Sequence, residues 1–339
     1  MFRVWTRRWW VAVAAALAAL LTGCSSTDTS APSSQADQGA GQGPFPVSIT
    51  DRFGTTTISQ EPKRVVSLND DDIVIALGVT PVGILRDPNH DGGIAPWLAG
   101  KVDTAKTTLI DYDGETFNIE QVAALQPDLI VATGHYGLEQ VRDRLAAIAP
   151  VVGFNPEWGA QTWQERTRVV ATALGRTEQA ERVIADTEAV IARVRAAHPG
   201  IERRTVSFSN FYAPGQIVTL KSDRDHAVRI LEELGLRIPD QLRALPDIAP
   251  GNPNGALSYE NISLLDADLV LALFGEGMQQ TIEALEPFRA LPAVQQGRYF
   301  TVDMSTAIAL RNPSPLSIPY ALDRLEPALQ AAAAAPAGR

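Results

Sequence analysis

The chain has 339 residues, 45% of them hydrophobic and 20% charged, with a formal net charge of −10. That is the composition of a soluble globular protein with room for two domains, each able to bury its own core. The acidic balance, with no basic stripe or cluster, excludes nucleic acid as a partner.

Residues 1–8 form a positively charged start, and Trp9 to Leu21 is an apolar stretch too short for a stable membrane span. It ends in Leu21-Thr22-Gly23-Cys24. This resembles the bacterial lipobox, which makes residues 1–23 a lipoprotein signal peptide and Cys24 the lipidated first residue of the mature chain. Removal of Arg3, Arg7 and Arg8 with the leader takes the charge from −10 to −13. Thr6-Arg7-Arg8 leaves the export route open between a general secretory and a twin-arginine signal. Cys24 is the only cysteine, so the mature chain has no disulfide, thiolate metal site or cysteine nucleophile. Residues 24–44 are rich in Ser, Gly, Gln, Ala and Asp and read as a flexible tether.

The folded part is expected as an α/β lobe over residues 45–175, one long helix over 176–199 and a second α/β lobe over 200–335. Phe45 to Ile58 alternates in the manner of a short hairpin. Arg64 to Leu68 reads as a buried strand, Asp70 to Leu77 as a short helix closed by Gly78, and Val82 to Leu85 as the next strand. Asn118 to Ala132, NIEQVAALQPDLIVA, is a helix that runs into a buried strand. Asn118 is its cap, Glu120 stands in its first turn, and Gln121 occupies the capping-box position. A helix over Leu138 to Ile148 and a strand over Val151 to Phe154 follow. Strands alternating with helices imply a parallel sheet covered on both faces.

Thr162 to Leu174 is helical up to Gly175, and Thr177 to His198 continues as one helix about 33 Å long, a candidate strut. Beyond it Thr205 to Phe208 reads as a strand, Asp225 to Leu234 as a helix, and Arg237 to Asn254 as a long surface loop. The helix–strand grammar returns at Ser258 to Ala272, SYENISLLDADLVLA. There Glu260 answers Glu120, and Asp268 answers Asp128. Ile282 to Leu291 is helical, Tyr299 to Val302 a last strand, and Ser317 to Ala333 a closing helix.

These pieces, in this order, resemble the ferric-siderophore and cobalamin binding proteins of bacterial ABC importers. The matching stretches are PKRVVSLNDDDIVIALGVTPVGI, the two repeated units, the strut and PLSIPYALDRL. The resemblance implies two α/β lobes joined by one long helix and a monomer held at the membrane by its lipid alone. It implies a ferric siderophore as ligand, with haem or cobalamin as the alternative. It also implies delivery to a permease driven by an ATPase, with Glu120 and Glu260 at the lobe tips docking onto permease arginines. The long strut predicts only small lobe closure.

Ligands of open α/β sheets sit beyond the carboxyl ends of the strands, here between the lobes. From the first lobe the candidates are Asn69, Arg86, Trp97, Tyr112, His135, Tyr136 and Trp158. The second offers Asn210, Phe211, Tyr212, Phe274 and Arg311. Aromatic bodies with a few polar or cationic heads suit a large flat chelate. Haem would call on His135 or Tyr136 as axial ligand. Asp70-Asp71-Asp72 reads as charge at a helix N-terminus and not as a metal site. Four histidines, one ending the strut and one opening a helix, argue against a direct metal-ion binder. No G-x-S-x-G, H-E-x-x-H or Walker loop supports a hydrolase or nucleotide enzyme.

Overall fold

The structure is a computed structural model that describes residues 44–249 and 252–335. The leader, Cys24 and nearly all of the tether lie outside the described residues. The described chain opens on an antiparallel hairpin, β1 (Val47–Asp51) and β2 (Gly54–Ile58). Asp51 accepts from Gly153 N–H at 2.8 Å and Thr56 donates to Val151 C=O at 2.8 Å, which staples the hairpin to the edge of the first sheet.

The first lobe runs β3 (Val65–Ser67), α1 (Asp71–Ala76), β4 (Gly83–Leu85), β5 (Thr108–Ile110) and α2 (Ile119–Ala124). It continues with β6 (Leu129–Val131), α3 (Leu138–Ala146), β7 (Val151–Val152) and α4 (Trp163–Leu174). The five strands β3 to β7 are parallel, in the order β5-β4-β3-β6-β7. Their side chains alternate between two apolar layers: Val65 and Val131 face one, Val66 and Ile130 the other.

Thr162 and Glu165 form a reciprocal capping box at the start of α4, and Gly175, at φ 66°, ends it in the left-handed conformation that a side chain resists. The chain turns at once into α5 (Thr177–Ala197), whose 21 residues span about 31 Å. Ala180 near its start joins a first-lobe core layer, whereas Ile184 and Ile191 join the core of the second lobe. One helix is thus anchored by its apolar stripe in both cores.

The second lobe begins with β8 (Val206–Ala213), β9 (Gln216–Thr219), α6 (His226–Glu233), α7 (Asp240–Arg243) and β10 (Gly255–Leu257). After β11 (Leu269–Phe274) come three short helices, α8 (Met278–Glu283), α9 (Glu286–Arg289) and α10 (Pro292–Gln295). Then β12 (Tyr299–Thr301), α11 (Met304–Arg311) and α12 (Ser317–Ala333) close the lobe. The sheet order is β10-β9-β8-β11-β12. β8, β11 and β12 pair in parallel, and β9 alone is reversed, antiparallel to both β8 and β10. The expectation of a parallel sheet therefore needs correction here. β8 passes its expected end at Phe208 and doubles back at Pro214-Gly215, a hairpin signal within YAPGQIV. The expected single helix over 282–291 is broken because Leu285 and Leu291 turn extended, the latter directly before Pro292.

The repeated unit is unequal in its two copies. Asn118 accepts from Gln121 N–H at 3.1 Å and caps α2. Gln121 does not return to close a capping box; its side chain bonds Asp111 instead. In the second copy residues 259–265 are 3-10 turns, kinked at Asn261, and the Ser258 side chain makes no cap bond. What both copies share is the aspartate before the strand. Asp128 accepts from the N–H groups of Lys63 and Arg64 at 2.7 and 2.8 Å, and Asp268 from that of Thr205 at 2.9 Å. Each carboxylate ties the start of one central strand to its neighbour.

Candidate functional site

The order of the first sheet reverses between β3 and β6, so the loops after those strands diverge and leave a crevice. Asn69, directly beyond β3, adopts φ 66°, a left-handed turn that asparagine tolerates better than most residues. The turn is pinned from below by Asp70, which is fully buried. Asp70 accepts from Thr133 Oγ1 at 2.6 Å, from Gly134 N–H at 3.1 Å and from Arg166 at 2.7 Å. Arg166, on α4, also donates to Asn69 C=O at 3.2 Å. A side chain at Gly134 would put its Cβ 2.3 Å from that same carbonyl oxygen, so only glycine fits. A buried ion pair thus clamps the loops of two parallel strands against each other.

Above this clamp lies a cavity of about 290 Å³ between the lobes. Asn69, Arg86, Trp97, Tyr112, Tyr136 and Trp158 all line it. Trp158 Nε1 donates to Gly134 C=O at 3.1 Å, and the Tyr136 ring stands edge-on to it at 5.1 Å. Tyr136 is 75% exposed, which leaves a large ring free at the cavity mouth. Arg86 stays exposed with its Nε 3.9 Å from Asp111. The Tyr112 hydroxyl donates to Gly114 C=O at 2.7 Å.

His135, the seventh first-lobe candidate, does not reach the cavity. It is 2% exposed, lies under the rings of Tyr112 and Phe117, and its Nδ1 donates to Asn69 Oδ1 at 2.9 Å. Burial depresses its pKa to about 4, so it is neutral and supports the Asn69 turn from behind. The second-lobe candidates also need correction. Phe211 is 0% exposed, stacked on Phe274 at 5.1 Å and edge-on to Phe288, so both rings belong to the core edge. Asn210 is buried within β8. Arg311 is held by Asp225 at 3.3 Å, at the cap of α6, and Tyr212 is exposed without lining the cavity. For Asn210, Phe211 and Tyr212 the long β8 is the reason: residues expected in a loop are strand residues.

The second lobe contributes Ile308 and Asn312 instead, from α11, a helix that sequence periodicity did not reveal. Asp71, Asp72 and Arg166 also face the cavity. The aspartate triplet is therefore more than helix-terminal charge. Its first member is the clamp, and the other two stand on the cavity wall. The triplet was visible in the sequence, but its division into one buried and two facing carboxylates depends on where α1 begins. No group of three or more His, Cys, Asp or Glu among the described residues could hold a metal ion.

A strap from the first lobe crosses to the second. Ala95, Trp97 and Leu98 join the second-lobe core, and Trp97 packs on Tyr320 of α12 at 5.5 Å. On the same strap His90 pairs with Asp87 at 2.7 Å and with Ser305 of α11 at 2.6 Å. Carboxylate, imidazole and hydroxyl in that order resemble a hydrolytic triad, but Ser305 is not on the cavity wall. The arrangement is a clasp between lobes. Glu120 and Glu260 are both exposed, with Arg144 3.8 Å from Glu120. No helix among the described residues is long and apolar enough to cross a membrane.

Similarity to known proteins agrees with this architecture. The ferric-citrate-binding protein YfmC of Bacillus subtilis is 27% identical over 296 residues, covering 85% of this chain and 86% of that protein. The ferric enterobactin-binding periplasmic protein FepB of Escherichia coli is 28% identical over 282 residues, 77% of this chain and 85% of its own. The crystal structure of Streptococcus pneumoniae PiaA in complex with ferrichrome superposes with a TM-score of 0.71 at 22% identity. It covers 84% of this chain and 98% of that one. This chain and PiaA thus share a fold. The periplasmic binding protein family model matches residues 65–306, and the chain belongs to that family.

Proposed function

We propose that this protein is a lipid-anchored, extracytoplasmic receptor that captures a ferric siderophore between its lobes and hands it to an ABC importer. The observation that carries this reading is the interlobe cavity, walled by Trp97, Tyr112, Tyr136 and Trp158 and placed at the switch point of a rigidly clamped sheet. Flat aromatic faces with a few polar heads suit a bulky metal chelate held whole. Nothing in such a site needs to make or break a bond, and the receptor acts without catalysis. Of the two axial ligands that haem would call on, His135 is buried and bonded to Asn69, which leaves Tyr136 alone. That the relatives named above carry ferric citrate and ferric enterobactin in their names adds weight to iron chelates as the ligand class.

Because Trp97 and Trp158 line the cavity, tryptophan fluorescence of the mature protein reports binding. Titration with ferric hydroxamates, catecholates, citrate, haem and cobalamin is expected to give saturable quenching by a ferric siderophore, weakened in Trp158→Phe. Quenching by none of the panel overturns the reading.

Docking onto the permease falls to Glu120 and Glu260, one exposed carboxylate on each copy of the repeated unit, two charged points that fix an orientation. Replacing both with alanine is expected to impair uptake and leave ligand affinity unchanged. Normal uptake by the double variant removes their role. Cys24 carries the lipid, and Cys24→Ser is expected to release the protein from the membrane fraction.

A further inference from the structure

The charge lining the cavity has consequences for the ligand. Asp71, Asp72 and Asp87 stand on its wall against Arg86 and Arg166. Arg166 is already neutralised by Asp70, which accepts from it at 2.7 Å beneath the surface. Arg86 is exposed and has Asp111 3.9 Å away. On the second lobe the nearest candidate cation, Arg311, is paired with Asp225. Asp71 has no ion-pair or side-chain hydrogen-bond partner among the described residues. The wall therefore sets Asp71, Asp72 and Asp87 against one exposed arginine, Arg86, and of the three carboxylates Asp87 is already bonded to His90 at 2.7 Å.

We propose that the cavity selects ferric chelates of neutral or positive charge, and that Asp71 and Asp72 receive a cationic group, an ammonium or a guanidinium, on the ligand's periphery. The proposal rests on the receptor reading above and narrows its substrate class. Iron(III) held by three hydroxamates is uncharged, whereas iron(III) held by three catecholates is a trianion. A polyanion brought against this wall meets repulsion from Asp72 and Asp87 and keeps Asp71 from ionising. A protonated amine at the same place gains two partners. The rings of Tyr112 and Trp97 on the same wall add faces that attract cations.

Protonation gives the proposal a second handle. Burial, and then the charges of Asp72, Asp70 and Asp87, push the Asp71 carboxyl up to about 8. Burial also raises Asp72, although Ser314 and Arg166 pull it back. An empty cavity at neutral pH therefore holds a proton on Asp71. A bound cation displaces that proton, so its affinity rises with pH up to about 8, and a neutral ligand shows no such rise.

The test uses one linear ferric trihydroxamate in three forms: its free terminal amine, the N-acetyl derivative and the N-succinyl derivative, respectively cationic, neutral and anionic. Ferric citrate and a ferric tricatecholate complete the panel. The cationic form is expected to bind about tenfold tighter than the anionic one, with the neutral form between them. Asp71→Asn/Asp72→Asn, shown folded by circular dichroism, is expected to collapse that ratio towards one. Should the variant not fold, the wild-type protein decides alone. Its preference for the cation is expected to weaken in high salt and at about pH 6, with proton release seen only for the cationic ligand. Equal affinities, a reversed order, or tight binding of citrate or the tricatecholate with none of the trihydroxamates overturns the charge selection and leaves the siderophore receptor standing. Failure of every chelate overturns both.

Discussion

The two lobes carry the same helix–strand unit and use it differently. In the first lobe short parallel strands stop early, and the loops after β3 and β6 open onto the cavity. In the second, β8 runs on to Ala213 and returns as β9, so the corresponding edge is filled by Phe211, Phe274 and Phe288. The cavity wall is lopsided as a result: aromatic and charged residues from one lobe, Ile308 and Asn312 from the other. A repeat preserves what builds a core, such as the strand-tying Asp128 and Asp268. It does not preserve what the loops do.

The largest expected difference lies at the first-lobe clamp, because the second lobe has no equivalent ion pair beneath its loops among the described residues. Arg166→Ala leaves Asp70 buried and charged with only Thr133 and Gly134 as partners. Removing one member of a buried pair costs about 3–5 kcal/mol. Urea unfolding should place the variant's midpoint far below that of the wild type. A surface exchange such as Arg289→Ala, at the exposed end of α9, should shift it little. Comparable midpoints for the two variants would show that the clamp does not hold the lobe.

The strap is the next test, since it puts Ala95, Trp97 and Leu98 of the first lobe into the second-lobe core. Trp97 is 8% exposed and packs on Tyr320. Truncation to alanine is expected to cost about 3 kcal/mol and to free the lobes from each other at the cavity mouth. Small-angle scattering of the wild type should barely change with ligand. The Trp97→Ala profile should expand in the unliganded state. A wild-type profile that contracts strongly on binding would contradict a strut and strap that together keep the lobes in place.

Much of this was legible in the sequence because the elements follow local rules. The Thr162–Glu165 box, Gly175, the apolar stripe of α5 and the span of α12 appear where periodicity and capping put them. So do the six first-lobe side chains of the cavity, since each follows a strand or sits on a loop nearby. What escaped depends on contacts distant in sequence. Asp70 is a buried partner only because Arg166, 96 residues later, reaches it. His135 faces inward only because Asn69 turns left-handed. Asn210, Phe211 and Tyr212 miss the cavity because β8 runs five residues beyond Phe208 and turns an expected loop into sheet, whereas Phe274 ends β11 and Arg311, at the end of α11, is held by Asp225.

One histidine in each lobe is held neutral by burial. Burial depresses His135 to about 4. His226 is also pushed to about 4, by burial and then by the charges of Arg229 and Arg166. Both are neutral when folded and prefer a proton when unfolded. Their stabilising contribution is therefore complete above about pH 6.5 and lost as pH falls from there towards 4, up to about 3 kcal/mol for each. Denaturant midpoints measured across that window should fall for the wild type. His135→Gln and His226→Gln should each remove part of the slope, and an unchanged slope in both would mean that other groups carry it.

The smallest effect compares the two copies of the unit at their first residue. Asn118 accepts from Gln121 N–H and caps a true α-helix. Ser258 stands at the same place in the repeat, yet its hydroxyl only accepts from the Asn261 side chain at 3.3 Å, and the turns after it are 3-10. Loss of a working cap costs about 1 kcal/mol. Asn118→Ala is therefore expected to lower stability by about that amount, whereas Ser258→Ala should leave it within about 0.5 kcal/mol of the wild type. Equal losses at the two sites would mean that the second copy is capped in solution after all. The inequality between the lobes would then begin at β8 and not in the repeated unit itself.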